Sequence, residues 1–201
     1  MGSCRVDVES LLRDALENGD CSGLRDALKD MDNRKCEACM LRAVLWKDKD
    51  EETAEVVRML LEHPKHKLTA HQGSTNLLLE AVRHNKHKTI PYLVNEGCGT
   101  LLNVHESGVG DFMKVIVNSS VATKQALKRA QDQGRIVIDL SRYPVMHMQA
   151  HTAFTRLQMA ALMDLGASVH TVDENQRKLE DVLTVLGQLE TAQRWPEMWS
   201  T

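Results

Sequence analysis

Aromatic side chains, prolines and long apolar runs are all scarce in this sequence. Only 3% of its 201 residues are Phe, Trp or Tyr, and four are proline, so leucine, valine, alanine and methionine must fill the core. No apolar run approaches the ~18 residues that a membrane-spanning helix needs. The formal net charge of −3 gives no support for the strongly basic face typical of nucleic-acid binding. We therefore predict a folded protein with no membrane span and no nucleic-acid partner.

A secretion signal is also lacking, because the first ten residues, MGSCRVDVES, contain no apolar core of the kind that a signal peptide has. The chain has five cysteines, an odd number, and nine histidines. Together these features predict reduced thiols and a location in the cytoplasm, with the nucleus as an alternative.

What the sequence does contain is a recurring pair of apolar helical faces. The first copy, SLLRDALENGDCSGLRDALKD, has two such faces separated by the turn ENGD, and a last single helix is predicted in KLEDVLTVLGQLETAQ. The small apolar residues in the middle of the successive first helices are Ala15, Ala43, Ala81, Val115, Met148 and Val182. Their separations of 28, 38, 34, 33 and 34 residues indicate an all-α solenoid of stacked helix pairs.

Glycine ends the second helix of three copies, at Gly97, Gly134 and Gly166. Glycine adopts the left-handed conformation that closes a helix at low cost. An extended segment with alternating apolar residues follows each of them, in GCGTLLNVHESG, GRIVIDLSRYP and GASVHTVDENQRK. Each unit is therefore predicted as helix, turn, helix and extended finger.

This order resembles the ankyrin repeat. The stretch GASVH at 166–170 is similar to the family's Gly-Ala-x-Val-Asn step, and YPVM at 143–146 is a looser match to its Thr-Pro-Leu-His start. NGD at 18–20 and NKH at 85–87 lie where the family has its inter-helix turn. No copy has the full Thr-Pro-Leu-His, so the array is divergent. Tetratricopeptide repeats share the period, but they have no glycine and finger, and they need aromatics that this chain lacks.

The resemblance implies a single ankyrin-type α-solenoid over residues 1–201, with about five and a half units. We place the units at 8–35, 36–73, 74–107, 108–141 and 142–174, the final helix at 175–192 and a tail at 193–201.

By the same resemblance, the expected function is non-catalytic binding of another protein by a monomer, with no cofactor and no metal. In the ankyrin family the partner docks on a concave surface formed by finger tips and the exposed side of the first helices. The corresponding finger residues here are His71, Gln72, His105, Glu106, Arg142, Tyr143, Asp173 and Glu174. The corresponding first-helix residues are Arg42, Trp46, Arg83, His84, Lys114, His147 and His151. This surface is mixed in charge, and Trp46 is its natural anchor.

One alternative is a site with chemistry of its own. CEAC at 36–39 has the spacing of half a zinc site, and the other half would be His63 with His66 or His84 with His87. A cysteine–histidine enzyme needs a thiolate beside a base in a cleft, and none of the five cysteines stands out for that role. We predict no bound zinc and no catalysis.

The sequence leaves the context of the array open. A solenoid of this kind also occurs as the N-terminal regulatory module of a larger receptor, channel or effector, and this chain could be such a module. The terminal stretch RWPEMWST is open in a similar way, because Trp195 and Trp199 either cap the end of the array or form a peptide that binds a partner.

Overall fold

The computed structural model describes residues 7–62, 74–95, 109–141, 143–151 and 155–187. Within these ranges the chain forms eleven helices and no strand, which confirms the predicted all-α class and helix number. The helices are α1 (Val8–Asn18), α2 (Ser22–Leu28), α3 (Asn33–Leu45), α4 (Asp50–Leu61), α5 (Ser74–Arg83), α6 (Ile90–Asn95), α7 (Val109–Asn118), α8 (Val121–Asp132), α9 (Val145–Ala150), α10 (Arg156–Asp164) and α11 (Leu179–Val185). None of these described helices is long and apolar enough to cross a membrane.

The helices form two rows. The odd-numbered helices are the first helices of the predicted units, and each packs on the next from α1 to α11. Among the even-numbered second helices, α4 packs on α6, α6 on α8 and α8 on α10. Connections of two to six residues join the two helices of each of the first four units, so the chain reverses direction there. α3 begins at Asn33, so the first helix of unit two starts shortly before the approximate unit boundary placed between residues 35 and 36.

Two adjacent residues in every first helix, located between its middle and its C-terminal end, are buried. These central pairs are Ala15–Leu16, Ala43–Val44, Ala81–Val82, Ile116–Val117, Gln149–Ala150 and Val182–Leu183. Val115 and Met148, which the sequence predicts for these positions, are only partly buried, so the predicted alignment is one residue out in α7 and α9. With Ile116 and Gln149 as the equivalent residues, the first residues of successive central pairs are 28, 38, 35, 33 and 33 positions apart. The repeat period therefore remains near 33 residues.

Polar residues just before several helices explain where those helices begin. The N-caps of α1, α3, α8 and α10 are Asp7, Asp32, Ser120 and Thr155, and each side chain accepts a hydrogen bond from a backbone N–H of the first turn. An N-cap of this kind stabilises a helix by about 1 kcal/mol relative to alanine.

Glycines end two of the second helices as the sequence predicts. Gly134 (φ +69°) follows α8, and Gly166 (φ +93°) follows α10. After α8 the N–H of Gly134 donates to the carbonyl of Gln131 (2.9 Å), and the N–H of Arg135 donates to that of Ala130 (3.0 Å). This is the Schellman arrangement, which needs the left-handed backbone that glycine adopts without steric cost.

The finger that follows α8 is extended. Ile136, Ile138 and Leu140 are buried, whereas Val137 and Asp139 between them are exposed. This alternation is the side-chain period of an extended chain, and it is the pattern expected from GRIVIDL. The finger thus adds apolar side chains to the core while its backbone runs along the array.

Buried polar side chains line the edge of the array where each first helix turns into its second helix. We call this the turn edge, and it comprises the connections and first helical turns at 46–53, 84–90, 119–124 and 155–158. Its buried polar residues are Thr53, Lys86, Thr89, Ser119, Thr123 and Lys124. Their bonds link each unit to the next.

Lys86 joins units two and three. Its Nζ donates to Thr53 Oγ1 (3.3 Å), and this hydroxyl donates to the carbonyl of Ala43 near the end of α3 (3.2 Å). Beside them, Asp50 at the start of α4 accepts from the backbone N–H of Lys88 (3.0 Å). Burial lowers the pKa of Lys86, and nearby carboxylates, that of Asp50 first, oppose this shift.

Asn85 joins units three and four. Its φ of +57° is left-handed, and its N–H donates to the carbonyl of Val82 at the end of α5 (3.1 Å). Its side-chain Oδ1 accepts from the N–H of Ser120 (2.6 Å) and from Thr123 Oγ1 (3.2 Å) at the start of α8. One residue therefore ends a helix in one unit and caps a helix in the next.

Lys124 joins units four and five, and its side chain is fully buried. Its Nζ donates to the carbonyls of Val117 (3.0 Å) and Ser119 (2.6 Å) at the end of α7, and to Gln158 Oε1 (2.6 Å) in the first turn of α10. These three acceptors match the three donors of the ammonium group. Burial lowers the pKa of Lys124 to about 8.

Candidate partner-binding surface

Opposite the central pairs, the first helices carry exposed side chains along α1 and α3, at the end of α5 and in α7. We call this side the first-helix face, and its exposed residues include Glu9, Arg13, Leu41, Arg42, Leu45, Arg83, His84 and Lys114. Counted from the central pairs, Leu45 and Arg83 hold equivalent positions, as do Leu41 and Lys114. Because successive first helices pack side by side, these side chains form one continuous surface.

The ion pairs on the first-helix face are exposed and weak. Arg42 Nη1 lies 3.1 Å from Glu9 Oε1, with the two side chains 56% and 64% exposed. In α5, Arg83 and His84 both reach Glu80. Exposed pairs of this kind contribute about 0–1 kcal/mol, so these side chains can exchange partners at little cost. The same face holds Arg13, which forms no ion pair with any described residue.

Trp46 ends α3 and lines a depression between α1 and α3. The depression has a volume of about 280 Å³ and is also lined by Glu9, Leu12, Arg13, Arg42 and Leu45. Trp46 is partly buried against the core, so part of its ring remains accessible. Two residues named from the sequence, Arg42 and Trp46, thus lie together here.

Sequence reasoning missed Arg13 and Leu45, which line the same depression. Leu45 lies four residues after Leu41 and three after Arg42, so all three share one side of α3. The spacing was readable in MLRAVL, but leucines in an apolar helix are expected in the core. Arg13 carried no signal in the sequence, because its role depends on the packing of α1 on α3.

The prediction that His147 is exposed on the first-helix face is wrong. It holds the position equivalent to Leu41 and Lys114, yet its side chain is 3% exposed. Its Nε2 lies 3.0 Å from the carbonyl oxygen of Arg177, in the segment that leads into α11. A carbonyl can only accept, so Nε2 carries the proton of a neutral ring. Burial lowers the pKa of His147, which favours that neutral form.

Asp173 organises the turn at the tip of the last finger. Its Oδ1 accepts from the N–H groups of Asn175 and Arg177 (both 2.9 Å), and its Oδ2 accepts from Arg177 Nε (2.7 Å). The backbone bond from Arg177 is the main cause of the lowered pKa of Asp173. The carboxylate is therefore engaged within the turn, and the neighbouring Glu174 is the exposed acid at this tip.

The remaining residues predicted from the sequence are split between described and undescribed parts of the chain. His151 is exposed just after α9, and Tyr143 is partly buried just before it. The finger residues His71, Gln72, His105, Glu106 and Arg142 lie outside the described residues, as do Gly97 and both terminal tryptophans.

The cysteines of CEAC lie on α3 and are buried. Burial raises the pKa of both thiols, Cys36 and Cys39, so neither is an activated nucleophile. His87, one of the proposed zinc partners, instead has its Nδ1 3.0 Å from Asp50 Oδ2. Within the ranges that the structure describes, no group of three or more His, Cys, Asp and Glu side chains is arranged to hold a metal ion. His63 and His66 lie outside those ranges.

The arrangement presents a broad polar surface with a small apolar depression. Comparison of the chain with protein-family models, with curated proteins and with solved structures found no match.

Proposed function

We propose that this chain is a divergent ankyrin-type solenoid that binds another protein through its concave surface, without catalysing a reaction. Two features support the ankyrin-type assignment. The helices form two rows with a period near 33 residues, and left-handed glycines lead from second helices into fingers at Gly134 and Gly166. Of the four stretches of sequence that resemble the family, NGD and NKH lie at turns between helices, GASVH begins a finger and YPVM spans the start of α9.

The observation that carries the binding function is the first-helix face. One position of the unit, held by Leu45, Arg83, Asn118 and His151, is exposed there in four successive units, while the central pairs are buried. Residues that face the core are committed to stability, whereas Arg42, Arg83 and His84 make weak pairs at the surface and Lys114 is exposed. A surface of this kind is available for recognition.

The chemistry of this face favours a folded protein or a peptide over a nucleic acid. Basic residues alternate with Glu9 and Glu80 and with exposed leucines, whereas a phosphate backbone calls for a continuous basic stripe. We propose that the protein acts as a monomer in the cytoplasm, and that it needs neither metal nor cofactor. A regulatory module of a longer receptor, channel or effector would use the same face.

The experiment compares two triple variants with identical charge change. One carries Arg42→Glu, Arg83→Glu and Lys114→Glu on the first-helix face. The second carries Arg25→Glu, Arg129→Glu and Arg156→Glu, which are exposed on the second helices. Tagged proteins capture partners from a cell extract, and the captured proteins are identified by mass spectrometry.

We expect the wild type and the second-helix triple variant to capture the same proteins, and the first-helix triple variant to lose them. Equal melting temperatures of the two variants would show that folding is not the cause. If both triple variants capture the same partners as the wild type, while Trp195→Ala with Trp199→Ala loses them, the terminal peptide is the binding element and the proposal fails.

A further inference from the structure

The depression between α1 and α3 has the size of one or two side chains. Its volume is about 280 Å³, whereas pockets for drug-sized ligands and cofactors measure roughly 300–1,000 Å³. Leu12 is buried at its base, and Leu45 and Trp46 add apolar surface from α3. The depression therefore lies at the small end of this range, with room for an apolar protein side chain.

Exposed leucines extend this apolar surface along α3. Leu41 is 38% exposed and Leu45 is 41% exposed, one helical turn apart. Trp46 adjoins Leu45 and keeps part of its ring accessible. Tryptophan and arginine are the residue types that most often dominate the binding energy of protein interfaces. A partner that covers this patch gains from the burial of apolar area around such residues.

The rim of the depression carries a surplus of one positive charge. It comprises Arg13, Arg42 and Glu9. Glu9 pairs with Arg42 at 3.1 Å in an exposed bridge, and Arg13 has no ion pair with a described residue. The Glu9–Arg42 bridge shows that a carboxylate fits against this rim. One further carboxylate would neutralise the surplus, whereas a dianionic phosphate would exceed it.

We propose that this depression is the anchor pocket of the partner-binding surface, and that it takes an apolar side chain of a partner peptide with a carboxylate within one helical turn of it. The apolar side chain packs between Leu12, Leu45 and Trp46. The carboxylate pairs with Arg13, which forms no ion pair with a described residue although Glu9 lines the same depression. This inference rests on the proposed function, because it names the chemistry of the segment that the first-helix face binds.

The experiment uses a phage-displayed library of random peptides selected on the wild-type chain. Selected peptides are synthesised with a fluorescent label, and their affinities are measured by anisotropy for the wild type and for Arg13→Glu, Leu45→Ala and Arg25→Glu. Arg25 is the matched control, since it is an exposed arginine on α2 without an ion pair to a described residue. Each peptide is also made with its acidic residue changed to the amide.

We expect the selected peptides to share a large apolar residue with Asp or Glu within four positions. Arg13→Glu and the amide peptide should each weaken binding about tenfold or more, because a charge-assisted pair is lost. Leu45→Ala should weaken binding as well, and Arg25→Glu should leave it unchanged. Because Arg13 and Arg25 are both exposed, melting temperatures should be equal for the two charge reversals.

Several outcomes would overturn the inference. They are a selection that yields no peptide, peptides without an acid, and affinities that Arg13→Glu does not change. Sedimentation that shows self-association, abolished by Arg13→Glu, would make the occupant a second copy of this chain and would also overturn it. If peptide binding instead depends on Arg83 and Lys114, the anchor pocket is wrong but the proposed function stands. The proposed function itself fails only in the triple-variant capture experiment.

Discussion

The turn edge and the first-helix face both carry basic side chains, in opposite environments. At the turn edge Lys124 is fully buried, and each of its three donors has an acceptor. On the first-helix face Arg13 is exposed and has no ion pair with a described residue. The first arrangement holds units together, and the second leaves a charge available to a partner. The difference shows that the turn edge can bury basic side chains in bonds between units, whereas the first-helix face leaves Arg13 exposed, as the proposed binding function requires.

The strongest test of the turn edge is removal of the Lys124 side chain. Lys124→Ala leaves a cavity and deprives two carbonyls at the end of α7 of their hydrogen-bond donor. These losses of stability are partly offset because the variant no longer buries a charge. We expect a loss of about 3–4 kcal/mol in the free energy of unfolding. Chemical denaturation at neutral pH measures it. The matched control is Lys128→Ala, one turn along α8, where an exposed pair with Asp132 should contribute under about 1 kcal/mol. Equal losses would contradict the comparison.

The pH dependence of stability isolates the charge of Lys124. Its pKa is about 8 when folded and near 10.5 when unfolded, so between these values the unfolded chain binds a proton that the folded chain does not. Stability should therefore rise with pH across this window, by roughly 3 kcal/mol in total. The quantity to measure is the difference in unfolding free energy between wild type and Lys124→Met, because cysteines and the remaining lysines titrate in both. A difference that stays constant from pH 8 to 10.5 would refute the account.

Two substitutions of Asn85 distinguish the cost of a left-handed backbone from the contribution of side-chain hydrogen bonds at the turn edge. Asn85→Gly keeps the left-handed backbone but loses the acceptor for Ser120 and Thr123, and should cost about 1 kcal/mol. Asn85→Ala loses the same acceptor and adds left-handed strain, and should cost about 2 kcal/mol. Thermal or chemical unfolding of the wild type and the two variants gives both the contribution of the side-chain hydrogen bonds and the cost of the left-handed backbone. A glycine variant as stable as the wild type would show that the bonds to α8 contribute nothing.

His147 should make the protein less stable in mild acid. Its folded pKa lies below the usual value, so as the pH falls through about 6.5 the unfolded chain binds a proton first. Stability is then lost until the pH passes the lowered folded value. His147→Gln can still donate to the carbonyl of Arg177, and it should abolish this acid-dependent loss of stability. His151→Gln, at an exposed position, should leave the loss unchanged. Unfolding curves at several pH values between about 5 and 7 distinguish the two variants.

The first-helix face should tolerate substitution with almost no change in stability. Arg42→Ala breaks only an exposed pair, and Leu45→Ala removes a side chain that is 41% exposed. Each should change the free energy of unfolding by about 0.5 kcal/mol or less. A loss several times larger at Leu45 would mean that this leucine belongs to the core and would weaken its role in the pocket.

Sequence patterns predicted the elements of this fold because those elements depend on local rules. Apolar faces at helical spacing and the closing glycines Gly134 and Gly166 fixed the number of helices and where two of them end. The register was predictable only to within one residue. In YPVMHMQA the buried residue at the position of the central pair is Gln149. Because Gln149 is polar, a search for apolar residues does not predict that it is buried.

The candidate site was less predictable, because exposure depends on what distant segments cover. His147 matched the exposed pattern of Lys114, but its carbonyl partner lies 30 residues further on, at Arg177. Lys86 and Lys124 belong to the type of residue most often exposed, so no local signal indicated their burial. Arg42 and Trp46 both line the depression, and for these two residues the position in the helix was enough to predict that they lie on the first-helix face.

The links along the turn edge also constrain how the chain can change in length. Each junction uses a different pair of groups, namely Thr53 with Lys86, Asn85 with Ser120, and Lys124 with Gln158. In arrays of near-identical units any copy can follow any other. Here deletion of unit two would separate Lys86 from Thr53, and deletion of unit five would separate Lys124 from Gln158, so a buried ammonium group would lose an acceptor in either case. The bonds at these junctions therefore depend on the order of the units. We expect that gain, loss or exchange of units, by which solenoids change in length, would destabilise this protein.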